Sequence, residues 1–375
     1  MIRILFVDHA EALGGAERSL LLLLEHLDKT RFFPVLACNP GPLADAARGL
    51  GVQVELVSMS RLRKDITAPL RLWRGTRALI RLIRREQMDL VHSNVMRASL
   101  YAGLAAWLTA RPLIWHVRDV FAPGAYVRWM DHRAAVIIAI SAATADPLPQ
   151  SKLIHLIPNG VDVADFDLPP DTRESVRREL DLSATAPVVG IVGRLRPWKG
   201  QRDFLRAMAL VRERYPQARF LIVGGNIFGG EEGYRVELET LARELGLGEA
   251  ALFTGQRDDL PALLSALDVL VHCSIEPEPF GRVIIEGMAA RLPVVAYQHG
   301  GAGEIIVEQE TGLLVPPGDV QALGQAVAEL LADPARVEWL GQAGRRRVEE
   351  RYDVRPLTRR VEDVFTSIAQ KRGKG

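Results

Sequence analysis

Short runs of Val, Ile and Leu alternate along this chain with longer stretches whose apolar residues recur every three or four positions. In the first half the runs predict strands over 2–8, 34–39, 52–57, 89–93, 113–117, 135–140 and 152–157. Continuous apolar runs of this length suit strands covered on both faces, and the helical stretches between them imply parallel crossovers. A break follows at 162–175, where Leu168-Pro169-Pro170 and five acidic residues read as a linker. The rhythm then restarts, with strands predicted over 187–192, 218–223, 250–254, 269–272, 292–296 and 312–315. The expected fold class is therefore α/β: two doubly wound domains, 1–165 and 176–352, facing across a cleft beyond the carboxyl ends of both sheets, where ligands of such folds bind. Residues 353–375 form a C-terminal segment, amphipathic over 355–371. The sequence leaves open whether this helix crosses back to brace the first domain.

Length and composition agree with two globular domains, since 375 residues with 48% hydrophobic and 25% charged content is long for one domain and ordinary for two. Two distant cysteines, Cys38 and Cys273, sit in apolar, strand-like surroundings and read as buried thiols rather than a disulfide framework or metal site. The N-terminal apolar run is too short for a signal peptide and ends at Asp8 and His9. The uncharged run 98–110 has only 13 residues, too few to span a bilayer. These features predict a soluble, cytoplasmic protein and leave surface attachment to the inner face of the cytoplasmic membrane open.

The net charge of +1 hides an asymmetry: residues 1–170 carry 20 basic against 16 acidic residues, the remainder 27 against 30. That bias is weaker than a nucleic-acid binder shows. It concentrates between Arg61 and Arg85, where nine basic residues face one acid, Asp65. Arg74, Arg77, Arg81 and Arg84 form one cationic stripe, with Leu72, Trp73, Leu79, Ile80 and Ile83 largely on another face. Such a helix either rests on anionic lipid or packs its apolar stripe on the core with the arginines solvated.

Three segments carry candidate chemistry. Gly14-Gly15-Ala16-Glu17 follows the first strand and opens a helix; glycines there either let backbone N–H groups approach a phosphate or serve the turn alone. Gly193-Arg194-Leu195…Lys199-Gly200 follows the second domain's first strand, so two cations share one strand-to-helix loop. A guanidinium fork and an ammonium together suit a diphosphate, the alternative being two solvated loop cations. Glu278-Pro279-Phe280-Gly281-Arg282-Val283 leads into Glu286 after the strand at 269–272. Free N–H groups around Gly281–Val283 would attract a diphosphate, and the flanking carboxylates would accept from sugar and ribose hydroxyls. As alternatives, Glu278 caps the helix and Glu286 is a surface charge, although an apolar setting disfavours an unpartnered charge there.

Taken together, the glycine loop at 14–17, the segment 193–200, Val223-Gly224-Gly225, the Glu278/Glu286 pair, Gly300-Gly301…Glu304 and the stretch 312–318 resemble the family-4 retaining glycosyltransferases of GT-B architecture (group 1), whose two domains are Rossmann-like. The resemblance runs along nearly the whole chain. It implies transfer of a sugar from a nucleoside-diphosphate sugar (a UDP- or GDP-sugar) to a glycan or lipid-linked acceptor, as in envelope polysaccharide or glycolipid synthesis. It assigns Arg194 and Lys199 to the diphosphate, Glu286 to the ribose and Glu278 to the donor sugar, with N–H groups near Phe280, Gly281, Arg282 and Val283. Gly14, Gly15 and Gly193 would line the nucleotide-sugar site. His116 matches a histidine near the sugar, where its other reading is a satisfied strand-end histidine, and Asp119 would contact the acceptor. Asn159-Gly160-Val161-Asp162 matches a turn near the hinge.

Retention can come from double displacement by an enzyme carboxylate or from attack on the face the diphosphate leaves; the family resemblance favours the second, with the leaving phosphate taking the acceptor's proton. With no Asp-x-Asp motif at a plausible strand end, neither a metal nor another cofactor is expected, and Arg194 and Lys199 stand in for the cation. Competing readings are an inactive homologue acting as a binding subunit and a nucleotide-sugar epimerase or hydrolase. A dinucleotide dehydrogenase fits less well, because the first turn lacks Gly-x-Gly-x-x-Gly. The donor base, sugar and acceptor are not fixed by residue identity.

Overall fold

The apolar runs of the first half pair into one seven-stranded sheet. Its strands are β1 (Ile2–Val7), β2 (Phe32–Cys38), β3 (Gln53–Leu56), β4 (Leu90–Ser93), β5 (Leu113–Val117), β6 (Ala134–Ala139) and β7 (Ile154–Leu156). They lie in the order β3-β2-β1-β4-β5-β6-β7 and every pairing is parallel. The second half repeats the plan with β8 (Val188–Val192), β9 (Arg219–Val223), β10 (Ala251–Gly255), β11 (Val269–His272), β12 (Val294–Tyr297) and β13 (Leu313–Val315), in the parallel order β10-β9-β8-β11-β12-β13. These are two doubly wound Rossmann-like sheets. In each, the strand order reverses beside the first strand, between β1 and β4 and between β8 and β11, and the crevice outside those strand ends is where ligands of such folds lie. The architecture described here is a computed structural model covering residues 1–61, 66–149, 153–225 and 232–372.

The chain divides into two compact units, 1–160 with 354–375, and 161–353. In the first, the closing helix Val354–Arg372 packs beside β1 and β2 through Leu357, Val361, Val364, Phe365 and Ile368, a helical stripe buried with Phe6, Phe32 and Leu20. Phe365 meets Phe6 and Phe32 edge-on at 6.0 and 5.9 Å, and Glu362 accepts the N–H of Asp28 at 2.8 Å. Aromatic contacts of this kind add roughly 0.5–1.5 kcal/mol beyond the area they bury. In the second unit, the segment read from sequence as a linker is ordered: a short 3-10 turn, Val163–Phe166, and a helix, Thr172–Glu179, whose buried Arg177 donates to Asp268 and to the carbonyl of Ala266. The thiols Cys38 and Cys273 are free and buried in separate units.

The arginine-rich segment forms the helix Ala68–Arg85, part of its predicted extent (62–65) lying outside the described residues. Leu79, Ile80 and Ile83 face the core, while Arg74, Arg77, Arg81 and Arg84 are exposed. Trp73, expected with the apolar face, is instead about half exposed at 51%. It sits at the margin of the stripe that buries Leu79 and Ile83 and half-buries Leu72, so the helix rotation that covers those three carries it outwards. Among the described residues, no helix is long and apolar enough to cross a membrane.

Candidate active site

In the second unit the candidate site grows from the ends of β8 and β11. After β8 the chain runs through Gly193 and Arg194 into a 3-10 turn, Pro197–Lys199, and then the helix Gln201–Arg214. Gly200 joins turn to helix with φ +79°, and a Cβ there would lie 1.8 Å from the carbonyl oxygen of Cys273. This close approach of the loop to the end of β11 brings Lys199 against Glu278, which follows β11. The Lys199 ammonium lies 2.6 Å from both carboxylate oxygens of Glu278. Ser274 Oγ donates to Glu278 Oε2 at 2.8 Å, and His272 Nε2 lies 3.3 Å from the same oxygen. Burial pushes the Glu278 carboxyl up, but Lys199 and His272 outweigh it and hold the group ionised, well below the usual carboxylate range. Both side chains are mostly covered, at 13% and 14% exposure. The backbone of Glu278 is gripped from behind: Gly301 donates its N–H to the Glu278 carbonyl at 2.8 Å, and a Cβ on Gly300 would strike that carbonyl at 2.4 Å.

Arg194 is half-buried in the same loop, its carbonyl taking a hydrogen bond from Gln201 Nε2, and its charge reaches Lys199. The helix Arg282–Ala289 begins at Gly281, whose φ is +100°, and Ile284 closes its first turn by donating to the Gly281 carbonyl at 2.9 Å. Phe280 contributes no side chain to such a site, because its ring is buried 6.0 Å from that of Tyr352; its backbone alone is available. Glu286 is buried one turn on and takes a hydrogen bond from Arg282 at 2.8 Å. The carboxylate suggested by its apolar neighbours is thus partnered within its own helix.

The remaining sequence candidates belong to the first unit. Gly14 and Gly15 open the helix Gly15–His26, but the N–H of Gly14 is already bonded to the Glu17 carboxylate at 2.8 Å in a capping arrangement. That carboxyl is pushed up to about 7 by burial and by Asp8. Gly14 therefore offers no free donor to a phosphate while Glu17 holds it. His116 lies on β5, buried, with Nδ1 3.1 Å from His92 Nε2, and its Nε2 has no partner among the described residues. Asp119 is exposed just beyond the carboxyl end of β5. Asn159 is buried and accepts from Arg118 Nη1 at 2.5 Å.

Comparison with known proteins places this geometry in a family. Residues 172–347 match the model "Glycosyl transferases group 1", and residues 13–165 match "Glycosyltransferase Family 4". The chain belongs to the family-4 glycosyltransferases of GT-B architecture. Among solved structures, Anabaena Alr3699/HepE in complex with UDP and glucose superposes with a TM-score of 0.86 at 27% identity, over 98% of this chain and 100% of that one. A Mycolicibacterium smegmatis relative, described as a GDP-mannose-dependent alpha-(1-6)-phosphatidylinositol monomannoside mannosyltransferase, is 34% identical across 60% of this chain and 59% of its own length. The match therefore spans about three-fifths of that relative. A 2-deoxystreptamine N-acetyl-D-glucosaminyltransferase of Streptomyces fradiae is 29% identical over 97% of this chain and 94% of its own.

This glycosyltransferase-family chain also carries polar groups that sequence reasoning passed over. Asp8 is fully buried after β1, accepting from Ala10 N at 2.8 Å and Asn94 Nδ2 at 2.7 Å. Asn94 Oδ1 in turn accepts from Arg118 Nε at 2.6 Å, and Arg118 donates onward to Asn159. His92, His272 and Ser274 complete the set. All lie at or just beyond the carboxyl end of a strand. A polar residue closing an apolar run is the one sequence feature they share, and it marks ordinary strand ends as well.

Proposed function

We propose that this protein transfers a sugar from a nucleoside-diphosphate sugar, UDP- or GDP-linked, to a glycan or lipid-linked acceptor in envelope polysaccharide or glycolipid synthesis, with retention at the anomeric carbon. The observation that carries the reading is the covered Lys199–Glu278 pair at the strand-order reversal of the second sheet. A cation for a diphosphate stands there beside an ionised acceptor for sugar hydroxyls. Lys199 and Arg194 would take up charge as the diphosphate leaves, Glu278 would orient the sugar, and first-turn N–H groups around Gly281–Val283 would add donors. The acceptor hydroxyl attacks the face the diphosphate vacates and gives its proton to the leaving phosphate oxygen, so the chain's part is positioning and charge stabilisation. Glu286 would hold the ribose by exchanging its bond from Arg282. His116 and Asp119 would serve the sugar and the acceptor. The UDP and glucose bound to the Anabaena protein and the GDP-mannose dependence of the mycobacterial one support the donor class.

A thermal-shift panel of uridine, guanosine and adenosine diphosphates and their sugars, with and without a divalent cation, is the first test. One base should raise Tm by several degrees, and product analysis of that donor's sugar should show a retained linkage. Donor turnover with no glycosylated product would favour a hydrolase, and absence of any shift would favour a non-catalytic homologue.

Lipid contact is the second part of the reading. Ile66, Leu70 and Trp73 are exposed at 98%, 49% and 51%, beside the exposed arginines of the helix Ala68–Arg85. Apolar side chains flanked by cations suit the surface of an anionic bilayer. Flotation with phosphatidylglycerol vesicles should recover the wild-type chain and lose one with Arg74, Arg77, Arg81 and Arg84 replaced by Gln. Equal recovery of both would remove the surface from the proposal.

A further inference from the structure

One group of cations in the first unit is not taken up by the reading above. It lies outside the closed hydrogen-bond network, at the reversal of the first sheet between β1 and β4. His9 is the second residue after β1, and Arg97 sits in the first turn of the helix Met96–Leu108 that follows β4. Two staples draw the loop after β3 towards the same place. Asn39, just beyond β2, donates from Nδ2 to the His9 carbonyl and accepts the N–H of Met59 on Oδ1, both at 2.8 Å. Tyr101, one helical turn after Arg97, donates its hydroxyl to the Ser60 carbonyl at 3.0 Å. A Cβ on Gly75 would lie 2.6 Å from the Tyr101 ring and 2.9 Å from the Ser58 carbonyl, so the helix Ala68–Arg85 presses on both. Arg61, next along this loop, is thereby brought within electrostatic reach of Arg97 and His9.

Like charges gathered in this way repel unless an anion offsets them. Burial and the charges of Arg97 and Arg61 push the His9 imidazole down to about 4, and burial with Arg61 lowers Arg97 as well. Neither guanidinium has an ion pair or hydrogen bond among the described residues, and the buried Nδ1 of His9 has no partner there either. Glu11, whose charge reaches Arg97, is exposed. The buried acids of this strand end are engaged, Asp8 by Ala10 and Asn94 and Glu17 by Gly14. Arg97 is half-buried and Arg61 exposed, so the group opens to solvent. Two guanidinium forks beside an unpartnered imidazole complement the oxygens of a phosphate.

We propose that His9, Arg61 and Arg97 form an anion subsite that takes a phosphate group carried by the acceptor, apart from the hydroxyl that receives the sugar. That the anion belongs to the acceptor rests on the functional reading above; the subsite itself does not. A phosphate on a soluble glycan and the phosphodiester of a lipid headgroup present the same anionic oxygens, and the experiment separates them.

The test uses the full chain labelled with 15N-histidine, the His9 ring signals being those lost in His9→Asn. Inorganic phosphate and, separately, dihexanoyl-phosphatidylglycerol below its micelle concentration are titrated at constant ionic strength set with chloride. His9 lies in the first unit, so phosphate held by Lys199 in the second does not register. The wild-type signals should move saturably with at least one probe. Arg97→Gln should weaken that response about tenfold or more, and Arg97→Lys less, because it keeps the charge and loses the fork. A tighter response to phosphate marks a soluble phosphorylated acceptor, and a tighter response to the lipid marks a headgroup. No saturable movement with either probe, or an unchanged midpoint in Arg97→Gln, overturns the proposal. Should Arg97→Gln fail to fold, Arg61→Gln at the exposed position decides on the same terms, with a loss of about threefold. Should the chain transfer no sugar, the subsite still stands or falls on these signals and only its assignment to the acceptor is lost.

Discussion

The two sheets share a strand order yet carry opposite kinds of chemistry at their points of reversal. Beyond β8 and β11 stands an ion pair, Lys199 and Glu278, set in glycine-bounded loops and joined by Ser274 and His272. Beyond β1, β4 and β5 stands a buried network of Asp8, Asn94, Arg118 and Asn159 next to two neutral histidines. On the proposed function, the difference would let one fold serve two ligands. Strong, paired charges suit a diphosphate and its sugar, because they can be re-partnered by a charged ligand. A closed hydrogen-bonded network, beside two imidazole nitrogens without partners among the described residues, suits an uncharged hydroxyl, which needs direction more than field.

The sharpest way to break this contrast is Lys199→Ala. It removes the cation from the second unit and should lower kcat/KM by about 10²–10³-fold, the scale of losing one donor to developing charge. Steady-state kinetics on the panel-selected donor measure it, and wild-type rates would end the assignment of this pair to the donor. His116→Ala should cost less, roughly ten- to hundredfold in kcat, with nucleotide affinity by thermal shift unchanged. A loss confined to nucleotide affinity would instead move His116 to the second unit's task.

The smallest effect concerns Glu17, whose carboxyl is raised to about 7 by burial and by Asp8, against the lowering influence of the Gly14 N–H and Arg118. Between its ordinary value of 4.5 and about 7, the folded state binds more protons than the unfolded one. Stability contributed by this group therefore falls as pH rises through that window and is level above it. Thermal unfolding from pH 4.5 to 7.5 should show the decline, and Glu17→Gln, which keeps an oxygen for the Gly14 N–H, should flatten it. A variant with the wild-type slope would mean that another group sets it.

The strands and the division into two doubly wound domains were legible because parallel strands covered on both faces must be apolar throughout; the strand order and its reversal points were not. Lys199, Glu278 and Arg194 stood out because they interrupt that pattern with charge in glycine-marked loops, but the pattern left solvated cations and a helix cap open, and only the family resemblance gave them roles. Asp8, His92 and Arg118 were not, since a single polar residue after an apolar run looks the same whether it ends a strand or builds a network. Trp73 shows a related limit: the sequence set it off the arginine stripe, and only the packed neighbours show which way the margin of an apolar stripe turns.

The sequence by itself determined which segments become strand and helix, the parallel winding of both sheets, and the charges available at the second sheet's end. These follow from local periodicity and from residue types whose chemistry needs no partner to be recognised. Tertiary structure alone decided that Lys199 meets Glu278 across 79 residues, that Glu17 occupies the Gly14 N–H, and that His92 backs His116 under the closing helix. Those pairings depend on strand order, register and close backbone approach, which periodicity cannot express because it describes each element without its neighbours.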